Sequence, residues 1–171
     1  MLIWLPGYGK SRAVQEIFIQ TGMAMGLSDI LNDQAVKASI VNDCAQLIDR
    51  QVAAKGGLGG MALKATYGVV KGAGPGYIPG AVERILPAVV DALEPMWAEG
   101  LQAGDPVAHL SQNQAQTAEV ILGVTDRRIA NTDNGLVRSS YGKLRQSVKG
   151  DVEGAVPGLA EILGAHSSVP Q

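Results

Sequence analysis

The sequence predicts an all-α protein, a compact bundle of about five or six helices. Apolar residues recur at three- and four-residue spacing in several long segments, which is the pattern of amphipathic helices, and no strand-like alternation competes with it. Clusters of glycine and proline separate these segments. The length of 171 residues suits one domain. With 46% hydrophobic but only 4% aromatic residues, the core is expected to consist mainly of Ala, Val, Ile and Leu.

The predicted organisation is an N-terminal appendage at residues 1–24, a single helical domain at 25–165 and a frayed tail at 166–171. The appendage places its apolar run MLIWLPG ahead of the first positive charges, an order that is wrong for a secretory signal. Because MGLSDILNDQ resembles the start of a domain, one interpretation is that the natural chain starts at Met23 or Met25. No stretch has the roughly 18 uninterrupted apolar residues of a spanning helix.

Composition and charge exclude several function classes. A formal net charge of −2 gives no global positive field to attract nucleic acid. The single cysteine, Cys44, allows no intramolecular disulfide, and with His109 and His166 as the only histidines it provides no Cys/His metal framework. The predicted location is therefore a reducing cytoplasm. GYGKS at residues 7–11 lacks the first glycine of a P-loop and GLGGMA at 57–62 lacks a preceding strand, so no cofactor is predicted.

The first helix is predicted at residues 33–55. Its apolar face carries Val36, Ile40, Val41, Cys44, Leu47, Ile48 and Val52. Asn32 or Asp33 is suited to cap its N-terminus, and a pair of glycines follows its C-terminus. Cys44 lies in the middle of the apolar face and is interpreted as a packing residue rather than a nucleophile, because burial raises the pKa of a thiol.

The glycine-rich segment at residues 58–70 is apolar nearly all round, which predicts a helix at the centre of the bundle. Glycines four residues apart allow a neighbouring helix to approach closely. Membrane contact is the alternative, but Lys64 and Lys71 interrupt the run, and its uninterrupted length is too short to span a bilayer. Packing inside a soluble bundle is therefore the favoured interpretation.

The next helix is predicted from residue 80 to about residue 94. Pro87 falls on its polar side and is expected to kink it. The segment 95–98 is expected to continue or restart this helix, with Met96 and Trp97 pointing inward.

A break is predicted at Gly104 and the Asp105-Pro106 pair, followed by a helix that runs to about residue 129. Gln114 falls near the centre of the apolar stripe of that helix. It is a candidate ligand-reading residue, and the alternative is that it hydrogen-bonds to backbone or to another helix.

Residues 136–149 form a predicted basic amphipathic helix without an acidic residue. The candidate anion-binding residues are Arg138, Lys143, Arg145 and Lys149. Three of them are spaced by seven and four residues and share one helical face, which suits phosphate groups or an anionic lipid surface. The alternative is that carboxylates from another helix neutralise them. A last helix is predicted at residues 151–163.

Four stretches of the chain resemble a bacterial family of small helical proteins that is a domain of unknown function. They are LNDQAVKASIVNDCAQLIDRQVAAKGGLGGMALKATYGVVK, VERILPAVVDALEPMW, TDRRI and SYGKLRQSVKGDVEGAVPGLAEIL. The resemblance covers about residues 27–163, and none of these stretches is a catalytic signature. It implies a helical fold and no activity or site residues.

The predicted function is a non-catalytic structural or protein-interaction role, with self-association through apolar surface that the glycine-rich helix leaves open. The alternative is a binding module that takes an anionic or lipid-like ligand, or contacts a membrane surface, through residues 136–149. An enzyme is the least favoured class. Asp43, Asp49, Asp126 and His109 occur singly and do not form a recognisable acid/base pair, so no catalytic residue is assigned.

Overall fold

The structure, a computed structural model, describes residues 26–72, 74–131, 133 and 135–167. In these ranges the chain forms one short 3₁₀ helix and six α-helices, without a strand. The elements are the 3₁₀ helix Leu27–Asn32, α1 Gln34–Ala54, α2 Gly57–Gly72, α3 Tyr77–Ala103, α4 Pro106–Gln112, α5 Gln114–Ala130 and α6 Gly135–His166. The predicted all-α fold is confirmed. The proposed appendage at residues 1–24 lies outside the described ranges.

Helix α1 begins where the sequence places its cap. The carboxylate of Asp33 accepts hydrogen bonds from the backbone N–H of Ala35 at 2.8 Å and of Val36 at 3.2 Å. These bonds satisfy donors that have no partner inside the helix. The apolar face of α1 then turns inward, with Ile40 and Cys44 buried.

Helix α3 is the centre of the bundle. It packs against the 3₁₀ helix and against α1, α2, α4 and α5. The side chains of Val90, Leu93 and Trp97 are almost wholly inaccessible to solvent. The 27-residue helix passes through Pro87 and Pro95 without a break, because both rings lie on its exposed side.

Helix α3 ends at Gly104, whose φ of 98° is a left-handed conformation that favours glycine. Asp105 then caps α4, accepting a hydrogen bond of 2.8 Å from the N–H of Ala108. The two helices can turn back on each other because Gly100 has no side chain. A Cβ atom at that position would lie 2.5 Å from the Cα atom of Pro106.

The central position predicted for the glycine-rich helix is wrong. In α2, Leu58 is 86% exposed, Met61 69% and Val69 78%, and Gly60 is the only buried residue of the helix. All-round apolar composition normally indicates an interior helix. Here the centre is already taken by the longer apolar face of α3, and α2 lies outside it.

Two predicted helix boundaries also differ. The helix expected from the Asp105-Pro106 pair to about residue 129 is divided at Asn113 into α4 and α5. The two helices expected at 136–149 and 151–163 form one continuous helix, α6. Gly150 lies inside α6 and faces open space. The low helix propensity of glycine destabilises the helix by only about 1 kcal/mol relative to alanine, so the helix continues through it.

Candidate functional site

An apolar cavity of about 300 Å³ lies among the helices and is the candidate functional site. Helices α1, α3 and α6 form its walls, and α5 and α2 contribute one side chain each, Ile121 and Leu63. The cavity is partly open to the surface of the protein rather than enclosed. The cavity is about twice the size of an engineered 150 Å³ cavity that binds benzene, and it reaches the lower end of the range for ligand pockets, about 300–1,000 Å³.

Short side chains on α6 leave this space open. The α6 wall consists of Val148, Asp151, Val152, Ala155, Val156 and Leu159. Four of these six residues are Val or Ala, which do not reach far enough to meet the opposite wall. Pro157 and Gly158 interrupt the apolar sequence beside them, and Gly158 brings α6 close to Leu47 of α1.

Polar groups line the cavity at one place only among the described residues. They are the amide of Gln51 and the carboxylate of Asp151. Asp151 forms an ion pair with Lys55, and both side chains are roughly seven-tenths buried. Because each charge neutralises the other, this polar edge offers hydrogen-bonding groups without a net charge.

Cys44 lines the cavity and is not activated. Burial, and to a lesser degree the neighbouring charge of Asp43, raises the pKa of its thiol to about 11. The thiol therefore stays protonated at neutral pH, and a protonated thiol is a poor nucleophile. This agrees with the interpretation of Cys44 as a packing residue.

Two of the candidate anion-binding residues are held by carboxylates of α5. The Arg145 side chain donates hydrogen bonds to Asp126, at 2.9 Å, and to Glu119, at 2.8 Å. Lys149 forms an ion pair with the same Glu119 at 2.8 Å. The structure thus brings Arg145 and Lys149 together through a shared partner. This is the neutralised arrangement that the sequence left open as the alternative.

The other two candidates are placed differently. Arg138 is exposed and forms no ion pair with any described residue. The side chain of Lys143 lies outside the described part of the structure. Anion binding by these residues stays a prediction.

The α5–α6 contacts change the acidity of the groups involved. Hydrogen bonds from Arg145 lower the pKa of Asp126, and hydrogen bonds from Lys149 and then Arg145 lower the pKa of Glu119. Burial, followed by its hydrogen bond of 2.8 Å to Asp126, raises the pKa of Tyr141 to about 12. The two carboxylates therefore stay charged, and Tyr141 neutral, over the physiological pH range.

We expect the ion pairs of Arg145 and Lys149 with Glu119 and Asp126 to stabilise the folded protein, and this contribution to be lost in acid. A carboxylate whose pKa is lower in the folded than in the unfolded protein stabilises the fold above its unfolded pKa, near 4 for Asp and Glu. That contribution disappears as the pH falls through the folded pKa. The melting temperature of Arg145→Met should therefore be reduced at neutral pH and should approach that of the parent protein as the pH falls from about 4 through the lowered pKa values of Asp126 and Glu119.

The matched control for this prediction is Arg138→Met, which removes the same charge from the same helix without removing a described ion pair. Melting temperatures measured between neutral pH and about pH 3 should show a pH-dependent difference from the parent for Arg145→Met only. Parallel curves for all three proteins would show that the ion pairs to Asp126 and Glu119 contribute nothing to stability.

Gln114 is not at the position that the sequence suggested. It lies in the first turn of α5 and is exposed, because the break at Asn113 shifts the phase of the helix. The buried polar residue is Thr117, whose hydroxyl donates to the carbonyl of Asn113 at 2.9 Å. It lies one turn before the cavity-lining Ile121. If the apolar stripe is assigned for α5 alone, without the residues of α4, Thr117 falls on it.

Both histidines and their acidic partners lie outside the cavity lining. His109 contacts Glu99 at 3.4 Å and His166 contacts Asp43 at 3.0 Å. Among the described residues, no group of three or more His, Cys, Asp or Glu side chains is placed to hold a metal ion.

The model of a family of unknown function, DUF6918, matches residues 27–167. The chain belongs to DUF6918. The match to DUF6918 includes the 3₁₀ helix and all six α-helices, and it confirms the resemblance to a family without an assigned function. No curated protein and no solved structure matches the chain. Across the part of this DUF6918 chain that the structure describes, no helix combines the length and apolarity needed to cross a membrane.

Proposed function

We propose that this protein is a binding protein for a lipid-like molecule whose apolar chain occupies the cavity. The observation that supports this function is the cavity itself, about 300 Å³ of space with an almost wholly apolar lining. The apolar side chains that line this half-open cavity make no dispersion contacts with one another across it. A ligand that fills it restores those contacts and removes its own apolar surface from water.

The volume limits the size of the ligand, because twice the space that holds benzene accepts one short or compact apolar chain. The polar edge limits its head group. A hydroxyl or an amide can donate to Asp151, and a hydroxyl, amide or ester can accept from Gln51, without adding a charge. A free carboxylate at this edge would lie close to the like charge of Asp151. We therefore expect a neutral polar head in preference to an anionic one.

The experiment is a titration of the full chain with N-phenyl-1-naphthylamine, an apolar dye whose fluorescence rises on leaving water. Decanol and decanoate then compete with the dye. The test variant is Ala155→Trp, which fills the cavity from its α6 wall. The matched control is Ala165→Trp, which adds the same side chain at an exposed position of the same helix.

The parent protein and Ala165→Trp should bind the dye saturably, and Ala155→Trp should bind at least about tenfold more weakly, since a ligand cannot share a filled cavity. Decanol should displace the dye at lower concentration than decanoate. The proposal fails if the parent does not bind the dye or if Ala155→Trp binds it as the parent does. Stronger competition by decanoate would overturn the neutral head group.

An interaction role, self-association, a cytoplasmic location and a bacterial source, which the sequence favours, stay predictions. The feature that supports an interaction role is the exposed apolar side of α2. It lies on the opposite side of that helix from Leu63, and ligand binding in the cavity does not require it.

A further inference from the structure

Helix α2 contributes a single side chain, Leu63, to the wall of the cavity. The rest of the lining belongs to α1, α3, α5 and α6, which pack against one another in the bundle. The main packing partners of α2 are α1 and α3, the helices that precede and follow it in the chain. The place of Leu63 in the cavity wall therefore depends on what holds α2 against these two helices.

Apolar burial does little to hold α2. Its buried residue is Gly60, in the first turn, which packs against the backbone carbonyl of Lys55. The chain turns at Gly57, with a φ of 71°, and at Gly74, with a φ of 151°, and a Cβ atom at either position would meet open space. The two ends of α2 therefore lack the packing that would fix the direction of the helix.

The polar attachment of α2 is the carboxylate of Asp49 on α1. The hydroxyl of Tyr67 donates to it at 2.7 Å and the ammonium of Lys71 at 2.8 Å. Within the described ranges, no other side chain of α2 hydrogen-bonds to a different helix. Hydrogen bonds from Lys71 and then Tyr67 lower the pKa of Asp49, so this acceptor is charged at neutral pH.

The sequence positions of these residues connect Asp49 to the cavity. Tyr67 follows Leu63 by four residues, so the two side chains lie on the same side of α2. On α1, Asp49 directly follows Ile48, which lines the cavity. The bond between Tyr67 and Asp49 therefore brings Leu63 toward the part of α1 that forms the cavity wall.

We propose that Asp49 is a positioning residue of the ligand site. By holding Tyr67 and Lys71 it keeps Leu63 in the cavity wall, where Leu63 contacts the apolar chain of the ligand. The inference rests on the proposed binding of a lipid-like molecule and adds to it a residue from outside the cavity lining. Asp49 does not touch the ligand, and its effect on affinity passes through Leu63.

The experiment is a titration of the full chain with N-phenyl-1-naphthylamine, carried out on the parent, Asp49→Ala, Leu63→Ala and the variant with both substitutions. The matched control is Asp43→Ala. It removes another carboxylate of α1 that has a polar partner, His166 at 3.0 Å, and that lies outside the cavity lining. Asp49→Asn is the conservative variant, because its amide oxygen can still accept from Tyr67.

Leu63→Ala should weaken dye binding about fourfold or more, the effect of losing apolar contact equivalent to one CH₂ group. Asp49→Ala should weaken it about threefold, a loss within the range for one typical hydrogen bond. The variant with both substitutions should bind as Leu63→Ala does, because Asp49 then has no side chain left to position. Asp43→Ala should bind as the parent does, and Asp49→Asn should retain most of the parent's affinity.

The results that overturn this role differ from those that overturn ligand binding. A parent protein that does not bind the dye would overturn ligand binding, and the role of Asp49 with it. If the parent binds the dye and Asp49→Ala binds it equally well, ligand binding stands and the positioning role fails. The role also fails if the two losses multiply in the combined variant, because Asp49 would then act independently of Leu63, or if Asp43→Ala loses as much affinity as Asp49→Ala.

Discussion

Replacing Trp97 with alanine is expected to lower the free energy of unfolding by about 3–5 kcal/mol, the usual cost of removing a large aromatic side chain from a core. Trp97 is 1% exposed and has the largest fully buried side chain among the described residues. It belongs to the core cluster that joins Leu27, Leu93, Leu110 and Leu163 from four different elements. The variant would leave a void at the junction of those elements.

The measurement is urea unfolding followed by far-ultraviolet circular dichroism. A domain of this size has a total stability of about 5–15 kcal/mol, so Trp97→Ala should bring the protein close to unfolding without denaturant. Leu101→Ala on the same helix, where the parent side chain is 38% exposed, is the control and should cost about 1 kcal/mol or less. Equal losses in the two variants would show that α3 is not the centre of the core.

Local signals in the sequence predicted much of this fold. The first turn of α1 depends on Asp33 and its nearest amides, and the break after α3 depends on Gly104 and Asp105. In each case the residues that determine the structure are within a few positions of one another. The spacing of apolar residues was enough to place α1 and most of α3 for the same reason.

Placement within the bundle could not be predicted in this way. Residues in α2 are apolar on every side, so their pattern does not distinguish the inner side at Leu63 from the exposed side at Met61. The phase of α5 depends on one break at Asn113, which put Gln114 outside and Thr117 inside. The cavity is lined by side chains from five α-helices together, so the pattern of no single segment predicts it.

Charge pairing is predictable only in part. No acidic residue lies between positions 136 and 149, so the cations of that segment need carboxylate partners from outside it. Their partners, Glu119 and Asp126, come from α5, and the contact depends on how the two helices meet. The sequence alone therefore does not determine whether these cations are free or ion-paired. For Arg145 the packing of α5 against α6 determines that it is paired.

The second large effect is expected from Glu94, whose carboxylate holds the 3₁₀ helix to α3. One oxygen accepts a hydrogen bond from the N–H of Leu27 and the other from the N–H of Ser28, both at 2.9 Å. Removing a charged acceptor leaves part-buried donors without a partner, at about 1–3 kcal/mol for each. Glu94→Ala should therefore lower the free energy of unfolding by about 2–4 kcal/mol.

Hydrogen exchange gives this prediction a local measure. The amides of Leu27 and Ser28 should exchange faster in Glu94→Ala, because they lose their acceptor. Asp91→Ala is the matched control, since among the described residues Asp91 accepts from the side chain of Ser28, at 2.7 Å, and from neither amide, so its removal should leave both amides protected. Leu27 is 1% exposed and packs in the same cluster as Trp97, so its release should also weaken the core. Faster exchange at these two amides with unchanged global stability would instead show that the 3₁₀ helix opens independently of the bundle.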